Sequence, residues 1–119
     1  MLEKFGIGMD IVEVKRFREK PFTENKEFYK KIFSDSEIEY CLNRNNPSES
    51  FAVKFAIKES VIKAINEKVD LLNILTENVN LKPLVSLLNN SSYRFLVSVS
   101  HEKLFAIAVV ISEKYSKQD

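Results

Sequence analysis

Residues 46–65, NPSESFAVKFAIKESVIKAI, form the longest stretch of the chain with helical apolar periodicity. Asn46 is a favourable N-cap, Pro47 suits the first helical position, and Glu49 stands where a capping-box acid reaches back to the cap. Apolar residues recur in two sets at helical spacing, namely Phe51, Phe55, Ile62 and Ile65, and Val53, Ile57, Val61 and Ala64. A helix that is apolar on two sides is typical of a central position, so we expect other elements to cover both sides.

Four charged side chains interrupt this apolar helix: Lys54, Lys58, Glu59 and Lys63. Glu59 and Lys63 are one turn apart, which is the spacing of an exposed ion pair worth about 0.2–0.5 kcal/mol. Taken by itself, the stretch favours a solvated stripe of charged side chains over a functional site.

The composition predicts an ordinary globular protein. A chain of 119 residues suits a single domain at 1–119, and 45% apolar with 29% charged residues is not typical of a disordered chain. The net charge of +1 argues against a protein that coats nucleic acid. The single cysteine, Cys41, fits a reducing compartment, and there is neither a membrane-length apolar run nor a signal-peptide pattern. We therefore expect a cytoplasmic protein with no nucleic-acid or membrane partner.

The run at 5–12 is apolar, contains Gly6 and Gly8, and predicts a strand. Gly-x-Gly without a third glycine or a following Lys-Ser/Thr is a poor phosphate loop, so we expect the glycines to admit a neighbouring backbone or a ligand. Asp10 is a carboxylate inside this run, where a charge is disfavoured unless it is paired or binds metal. It is either such a functional carboxylate or an ordinary strand-end or helix-capping aspartate.

The rest of the chain predicts short helices and then β structure. Helices are expected at 13–20, at 25–33 and, after the start signal SDSE, at 34–42. Beyond the central helix, aliphatic segments at 71–79 and 82–88 precede a turn cluster, an alternating strand at 93–100 and an apolar strand at 104–112. The predicted fold class is α+β, with an N-terminal strand, short helices and a long central helix packed on an antiparallel meander. The single histidine, His101, follows a strand, where a surface turn residue is the commoner interpretation.

Five motifs in order carry a resemblance to a known family. They are GIGMDIVEVKRF at 6–17, FSDSE at 33–37, FAIKESVIKAI at 55–65, KPLV at 82–85, and VSVSHE at 97–102 leading into FAIA at 105–108. Together they resemble the holo-acyl-carrier-protein synthases, the small 4′-phosphopantetheinyl transferases, over nearly the whole chain. The resemblance implies that family's fold and its activity in fatty acid biosynthesis. This is transfer of the phosphopantetheine arm of coenzyme A to a serine of apo acyl carrier protein, releasing 3′,5′-ADP.

The resemblance also gives roles to the charged residues. It implies a catalytic set of Asp10, Glu59 and Lys63, in which the two acids bind the cofactor Mg²⁺ and the lysine meets the diphosphate. Mg²⁺ suits this chemistry because it takes one or two carboxylates and leaves sites for phosphate oxygens and water. Whether Asp10 or a water on the metal accepts the serine proton stays open. The implied coenzyme A contacts are Lys54, Lys58, Lys63, Lys82, Pro83, Ser100 and His101.

The resemblance further implies two kinds of protein contact. The acidic carrier protein is expected on a basic surface formed by Lys15, Arg16, Phe28 and Lys31. The family forms homotrimers with active sites at the subunit boundaries. The strand at 104–111 is apolar at almost every position, and the central helix is apolar on two sides. A small domain has few elements to cover both, which leaves apolar surface for contact with another subunit. The alternative function is a degenerate module that binds carrier protein or coenzyme A without turnover.

The chain departs from the family pattern at three positions. Glu27 stands where a basic residue is usual, and Asn66 and Leu81 stand where glycines are usual. We expect these departures to affect the carrier surface and the loops around the nucleotide, and to leave the metal-binding residues intact.

Overall fold

The computed structural model of the chain describes residues 4–115. The strands are β1 (Phe5–Glu13), β2 (Ile74–Val79), β3 (Lys82–Leu87), β4 (Tyr93–His101) and β5 (Phe105–Lys114). The α-helices are α1 (Lys15–Arg18), α2 (Lys26–Lys30), α3 (Asp35–Leu42) and α4 (Pro47–Ile65), and short 3₁₀ turns lie at Phe22–Glu24 and Leu71–Asn73. The predicted α+β class and long central helix are confirmed.

The first two helices are shorter than predicted. Glu13 belongs to β1, where it is paired with Phe105, so α1 begins only at Lys15. Pro21 disfavours helical geometry at the residue before it, and α1 ends at Arg18. The second helix, α2, ends at Lys30, before the turn that leads to Ser34.

The strands form two antiparallel sheets. The larger has the order β1-β5-β4, in which β5 pairs with β1 from Glu113 to Phe105 and with β4 on its other side. The smaller is the hairpin of β2 and β3. The predicted meander is therefore correct for the hairpin of β4 and β5, whereas β2 and β3 form a sheet of their own.

The two glycines of β1 set its distance from α4. A Cβ atom at Gly6 would lie 1.8 Å from the carbonyl oxygen of Ala64, and one at Gly8 would lie 1.9 Å from that of Ser60. Only glycine fits such a contact, so the predicted close approach is confirmed and the approaching group is the α4 backbone. Ala106 and Ala108 of β5 are also fully buried in the core.

The short helices cover α4 through an aromatic cluster. The ring of Phe51 lies 4.6 Å from that of Tyr29 and 5.0 Å from that of Phe33, and Phe17 lies 5.8 Å from Phe55, centroid to centroid. The two apolar sides of α4 are thus covered within the chain, as predicted. No helix within residues 4–115 combines the length and the hydropathy needed to cross a membrane.

The face of the larger sheet turned away from α4 is apolar and exposed. On β1, Ile7, Met9 and Ile11 are 59–69% exposed. Ile7 is opposite Ile111 of β5, which in turn is opposite Leu96 of β4, 67% exposed. We call this surface the outer sheet face.

Candidate active site

Asp10 lies on the side of β1 that faces α4, because it follows Gly6 and Gly8 at the two-residue period of a strand. Its Oδ1 lies 3.1 Å from Nζ of Lys63, which also donates a hydrogen bond of 3.1 Å to the Met9 carbonyl oxygen. The side chain of Asp10 is 19% exposed and that of Lys63 is 55% exposed. Asp10 is therefore an ion-paired carboxylate in mid-strand, and neither a helix cap nor a strand end.

Glu59 supplies a second carboxylate, from the part of α4 that carries Lys63. It lies one turn before Lys63, is half-buried, and precedes Ser60, whose carbonyl oxygen faces Gly8. Within residues 4–115, no group of three or more His, Cys, Asp or Glu side chains is arranged to hold a metal. Two carboxylates from facing segments are nevertheless the kind of donor set that a hard cation such as Mg²⁺ uses, with water and phosphate oxygens as its remaining ligands.

A groove opens beside the first half of α4, between that helix, the β2–β3 hairpin and the end of β4. Its basic lining residues are Arg44, Lys54 and His101, and Pro83 and Leu81 line it from the hairpin. The ring Nδ1 of His101 lies 2.9 Å from Oε1 of Glu49. This lining suits a ligand that carries both an anionic group and an apolar or aromatic part.

The structure brings together only some of the residues predicted to bind coenzyme A. Lys54, Pro83 and His101 meet in the groove. Lys63 is nine residues beyond Lys54, about 14 Å along the helix axis. Ser100 alternates with Val99, which lines the groove, so Ser100 belongs to the outer sheet face. Lys82 is exposed at the start of β3 and does not line the groove.

Lys58 conflicts with its predicted role. Its Nζ donates hydrogen bonds to Oε1 of Glu37 and to the Ile32 carbonyl oxygen, each at 2.7 Å, and to the Leu71 carbonyl oxygen at 2.9 Å. Burial lowers the pKa of this ammonium, while the hydrogen bond and the charge of Glu37 oppose that change. Because the side chain is fully buried and all three donors are used, Lys58 is not placed to bind a phosphate.

Several groove residues carry no recognisable signal in the sequence. Nothing in the sequence marks Arg44, which follows α3, or Asn78 on β2 as part of a site. The predicted cap at Asn46 is confirmed, since its Oδ1 accepts a 3.2 Å hydrogen bond from the Glu49 backbone N–H, but the Glu49 side chain does not complete a capping box. The carboxylate of Glu49 instead meets His101.

The four residues predicted to contact a carrier protein lie on or beside neighbouring helices α1 and α2. Lys15 and Arg16 are exposed on α1, with the Arg16 guanidinium 4.6 Å from the centre of the Phe55 ring. Phe28 of α2 packs against Phe17 of α1 at 6.2 Å between ring centroids. Lys31 is exposed directly after α2. We call these four residues the basic surface.

Comparison with known proteins gives one consistent result. The family model described as the 4′-phosphopantetheinyl transferase superfamily matches residues 6–110. The holo-[acyl-carrier-protein] synthase of Chlamydia trachomatis serovar D is 35% identical over 118 residues, covering 92% of this chain and 99% of that protein.

Solved structures agree. The holo-[acyl-carrier-protein] synthase of Helicobacter pylori, in complex with coenzyme A, matches with a TM-score of 0.79 and 30% identity, covering 90% of this chain and 99% of that one. The synthase of Bacillus anthracis, in complex with CoA (3′,5′-ADP), matches with a TM-score of 0.78 and 28% identity, covering 92% and 96%. The chain belongs to the 4′-phosphopantetheinyl transferase superfamily and, within it, to the holo-acyl-carrier-protein synthases.

Proposed function

We propose that this chain transfers the 4′-phosphopantetheine group of coenzyme A to a serine of apo acyl carrier protein, in fatty acid biosynthesis. The observation that carries the proposal is the Asp10–Lys63 ion pair between β1 and α4, with Glu59 one turn away. A cation beside two carboxylates suits attack on a diphosphate, because the phosphate charge must be offset and the metal must be held. The relatives named above support the choice of substrates.

In this reaction the serine oxygen forms a bond to the phosphorus that carries pantetheine, and the bond from that phosphorus to the oxygen of 3′,5′-ADP breaks. Asp10 and Glu59 would hold Mg²⁺, which when bound offsets charge on the diphosphate. The ammonium of Lys63, more than half exposed, offsets further charge and orients the diphosphate. The serine proton passes to a base, for which the Asp10 carboxylate is this chain's own candidate.

The groove holds the remaining anionic part of coenzyme A. Arg44 and Lys54 provide the positive charge, His101 provides a polar ring, and Pro83 provides apolar contact. We leave Lys58 out of this set because its donors are used inside the protein. Lys82 and Ser100 lie outside the groove. They can contact coenzyme A only where the ligand extends beyond the groove or is shared with a second subunit.

The carrier protein binds to the basic surface. Lys15 and Arg16 face solvent on α1, where they can attract an acidic partner over several ångströms. Phe28 is half-buried and adds apolar contact area beside Lys31. The exposed Glu27 on α2 opposes this charge, which weakens the surface without removing it.

The working assembly is a homotrimer. The outer sheet face exposes apolar residues on all three of its strands, and such a continuous patch is typical of a protein–protein contact. Closed symmetry is the usual result when copies of one chain associate through such a patch. A shared site also fits the distance of about 14 Å along α4 between Lys54 and Lys63, because the groove of one subunit can then serve the ion pair of another.

The compartment that fits these observations is the cytoplasm. Cys41 is a free thiol and the single cysteine of the sequence, so the chain uses no internal disulfide, which suits a reducing compartment.

One experiment tests the activity directly. Apo acyl carrier protein is incubated with coenzyme A, Mg²⁺ and the purified chain, and its mass is measured. A gain of the phosphopantetheine mass is expected, and it should vanish when EDTA removes the metal. Binding of both substrates without any mass gain would instead identify a non-catalytic binding module, and the proposal would be wrong.

A further inference from the structure

A fully occupied carboxylate lies in the interior beneath the groove. Glu37 of α3 is 2% exposed. Its Oε1 accepts hydrogen bonds from Lys58 Nζ at 2.7 Å and from the Ser34 N–H at 2.9 Å. Its Oε2 accepts from the Thr76 N–H at 2.9 Å and from the Thr76 hydroxyl at 2.6 Å. Burial alone would raise the pKa of Glu37, but the hydrogen bonds and charge of these partners hold it below its ordinary value.

The hydroxyl of Thr76 has a second partner. Its Oγ1 lies 2.9 Å from Nζ of Lys54, and Thr76 itself is 5% exposed. A hydroxyl carries one proton and two acceptor lone pairs, and a carboxylate can only accept. The proton must therefore point to Glu37, which turns the lone pairs of Thr76 toward the ammonium of Lys54.

This arrangement fixes Lys54 at the edge of the groove. Asn78 Oδ1 accepts a second hydrogen bond from Nζ of Lys54 at 3.1 Å, and the Tyr40 ring centre lies 4.7 Å from the same atom. Lys54 lines the groove although its side chain is almost wholly buried. With two of three N–H donors held by protein oxygens, the direction of the third is fixed as well.

We propose that Glu37 and Thr76 are positioning residues, which orient the Lys54 ammonium toward an anionic group of coenzyme A in the groove. This rests on the proposed function. The two residues touch no ligand themselves. They act because a lysine whose geometry is set beforehand loses less conformational entropy when the anion binds.

A purely structural role is the competing interpretation. The contacts of Lys58 with Glu37, Ile32 and Leu71 already join α3, α4 and the segment before β2. The Thr76 hydroxyl adds little to that connection, since its backbone N–H binds Glu37 independently. The hydroxyl adds a second hydrogen bond to Glu37 and the link to Lys54, and a variant at this atom combined with a variant of Lys54 can separate the two roles.

The test measures the dissociation constant of coenzyme A by titration calorimetry, and the Michaelis constants of both substrates. Thr76→Val keeps the shape of the side chain and removes the hydroxyl, so we expect about tenfold weaker coenzyme A binding. The Michaelis constant for carrier protein should stay unchanged. Thr76→Ser keeps the hydroxyl and should restore binding. Ser112→Ala, which removes a different buried hydroxyl bonded to the Ala64 carbonyl oxygen, is the matched control.

A double-mutant cycle with Lys54→Met decides whether Thr76 acts through the lysine. If it does, Thr76→Val will not weaken coenzyme A binding further once Lys54 is gone. Equal effects of Thr76→Val with and without Lys54 would overturn the inference, as would unchanged binding in Thr76→Val alone. If Thr76→Val does not fold, Thr76→Cys, with a thiol that is a weaker donor and acceptor, takes its place, and Thr76→Ser is then its near-isosteric control. Failure of the wild-type chain to bind coenzyme A would instead overturn the proposed function.

Discussion

The Lys63 ammonium lies 3.1 Å from the Asp10 carboxylate, although the two residues are 53 positions apart in the sequence. The close contact of β1 with α4 produces this pair. A cation and an anion are thus held together at the edge of the core, where both keep access to solvent. The proposed metal and phosphate would each replace one half of this existing ion pair.

Loss of either carboxylate should remove activity and leave the fold intact. We expect Asp10→Asn and Glu59→Gln each to lower kcat by about 100-fold or more, because each removes a charge from the proposed metal site. Glu39→Gln, at an exposed acid on α3, is the matched control. Steady-state kinetics and circular dichroism are the measurements. Near-wild-type activity in a folded variant of either residue would contradict the two-carboxylate metal site.

Charge reversal on the basic surface should affect one substrate only. Arg16→Glu is expected to raise the Michaelis constant for carrier protein by about tenfold and to leave that for coenzyme A unchanged, because it opposes electrostatic steering. Added salt should reduce the difference. Lys68→Glu, an exposed lysine beyond the end of α4, is the control. Equal effects of Arg16→Glu on both substrates would remove Arg16 from the carrier contact.

The outer sheet face should hold the subunits together. Light scattering is expected to give the mass of a trimer for the wild-type chain and a lower mass for Ile7→Glu, since a buried unpaired charge opposes association. Leu88→Glu, at an exposed leucine after β3, should leave the trimer intact. A wild-type monomer with full transferase activity would contradict both the trimer and a site shared between subunits.

The sequence predicted the parts of the fold that depend on local signals. The cap at Asn46 and the two apolar sides are contained within α4 itself, so its limits were predicted almost to the residue. Lys58 was predicted poorly because its three acceptors are 13 to 26 residues away in the sequence. A buried lysine and an exposed one look alike at helical spacing. Arg44 and Asn78 were missed for the same reason, since only tertiary contacts bring them to the groove.

The buried Glu37 should make stability depend on acid pH. Its pKa is lower in the folded protein than the ordinary value of 4.5, so the unfolded chain binds more protons between those two values. The stability from this carboxylate is therefore complete above about pH 4.5 and is lost as the pH falls through the lower, folded-state pKa. Urea unfolding at a series of pH values measures this loss.

The matched variant for this prediction is Glu37→Gln. At neutral pH its free energy of unfolding should be lower than that of the wild type by about 3 kcal/mol or more, because the substitution leaves Lys58 as an uncompensated buried charge. It should therefore unfold at a lower urea concentration. It should also lose part of the acid dependence. An identical pH profile for the wild type and Glu37→Gln would show that this carboxylate does not govern the acid response.

Leu81 should be a site where glycine stabilises the protein. The β2–β3 turn has φ of 50° at Asn80 and 67° at Leu81. Two-residue hairpin turns with positive φ at both central residues favour asparagine at the first and glycine at the second. Leu81 is also 92% exposed, so its side chain gains little from burial within the chain. We expect Leu81→Gly to raise the free energy of unfolding by about 0.5–1 kcal/mol, since relief of left-handed strain exceeds the added entropy of the unfolded chain. Leu84→Gly, on β3 at ordinary φ, should lower it.

The glycines of β1 have a consequence for how the chain avoids a wrong structure. If β1 slipped by one residue against β5, every side chain of the strand would change faces. With Ile7 and Met9 in the places of Gly6 and Gly8, these side chains would point at the carbonyl oxygens of Ala64 and Ser60 respectively, where even a single Cβ atom has no room. Steric clash therefore excludes the slipped register, whether or not the native register makes more favourable contacts. The same clash therefore keeps Asp10 from reaching the wrong face of the sheet during folding.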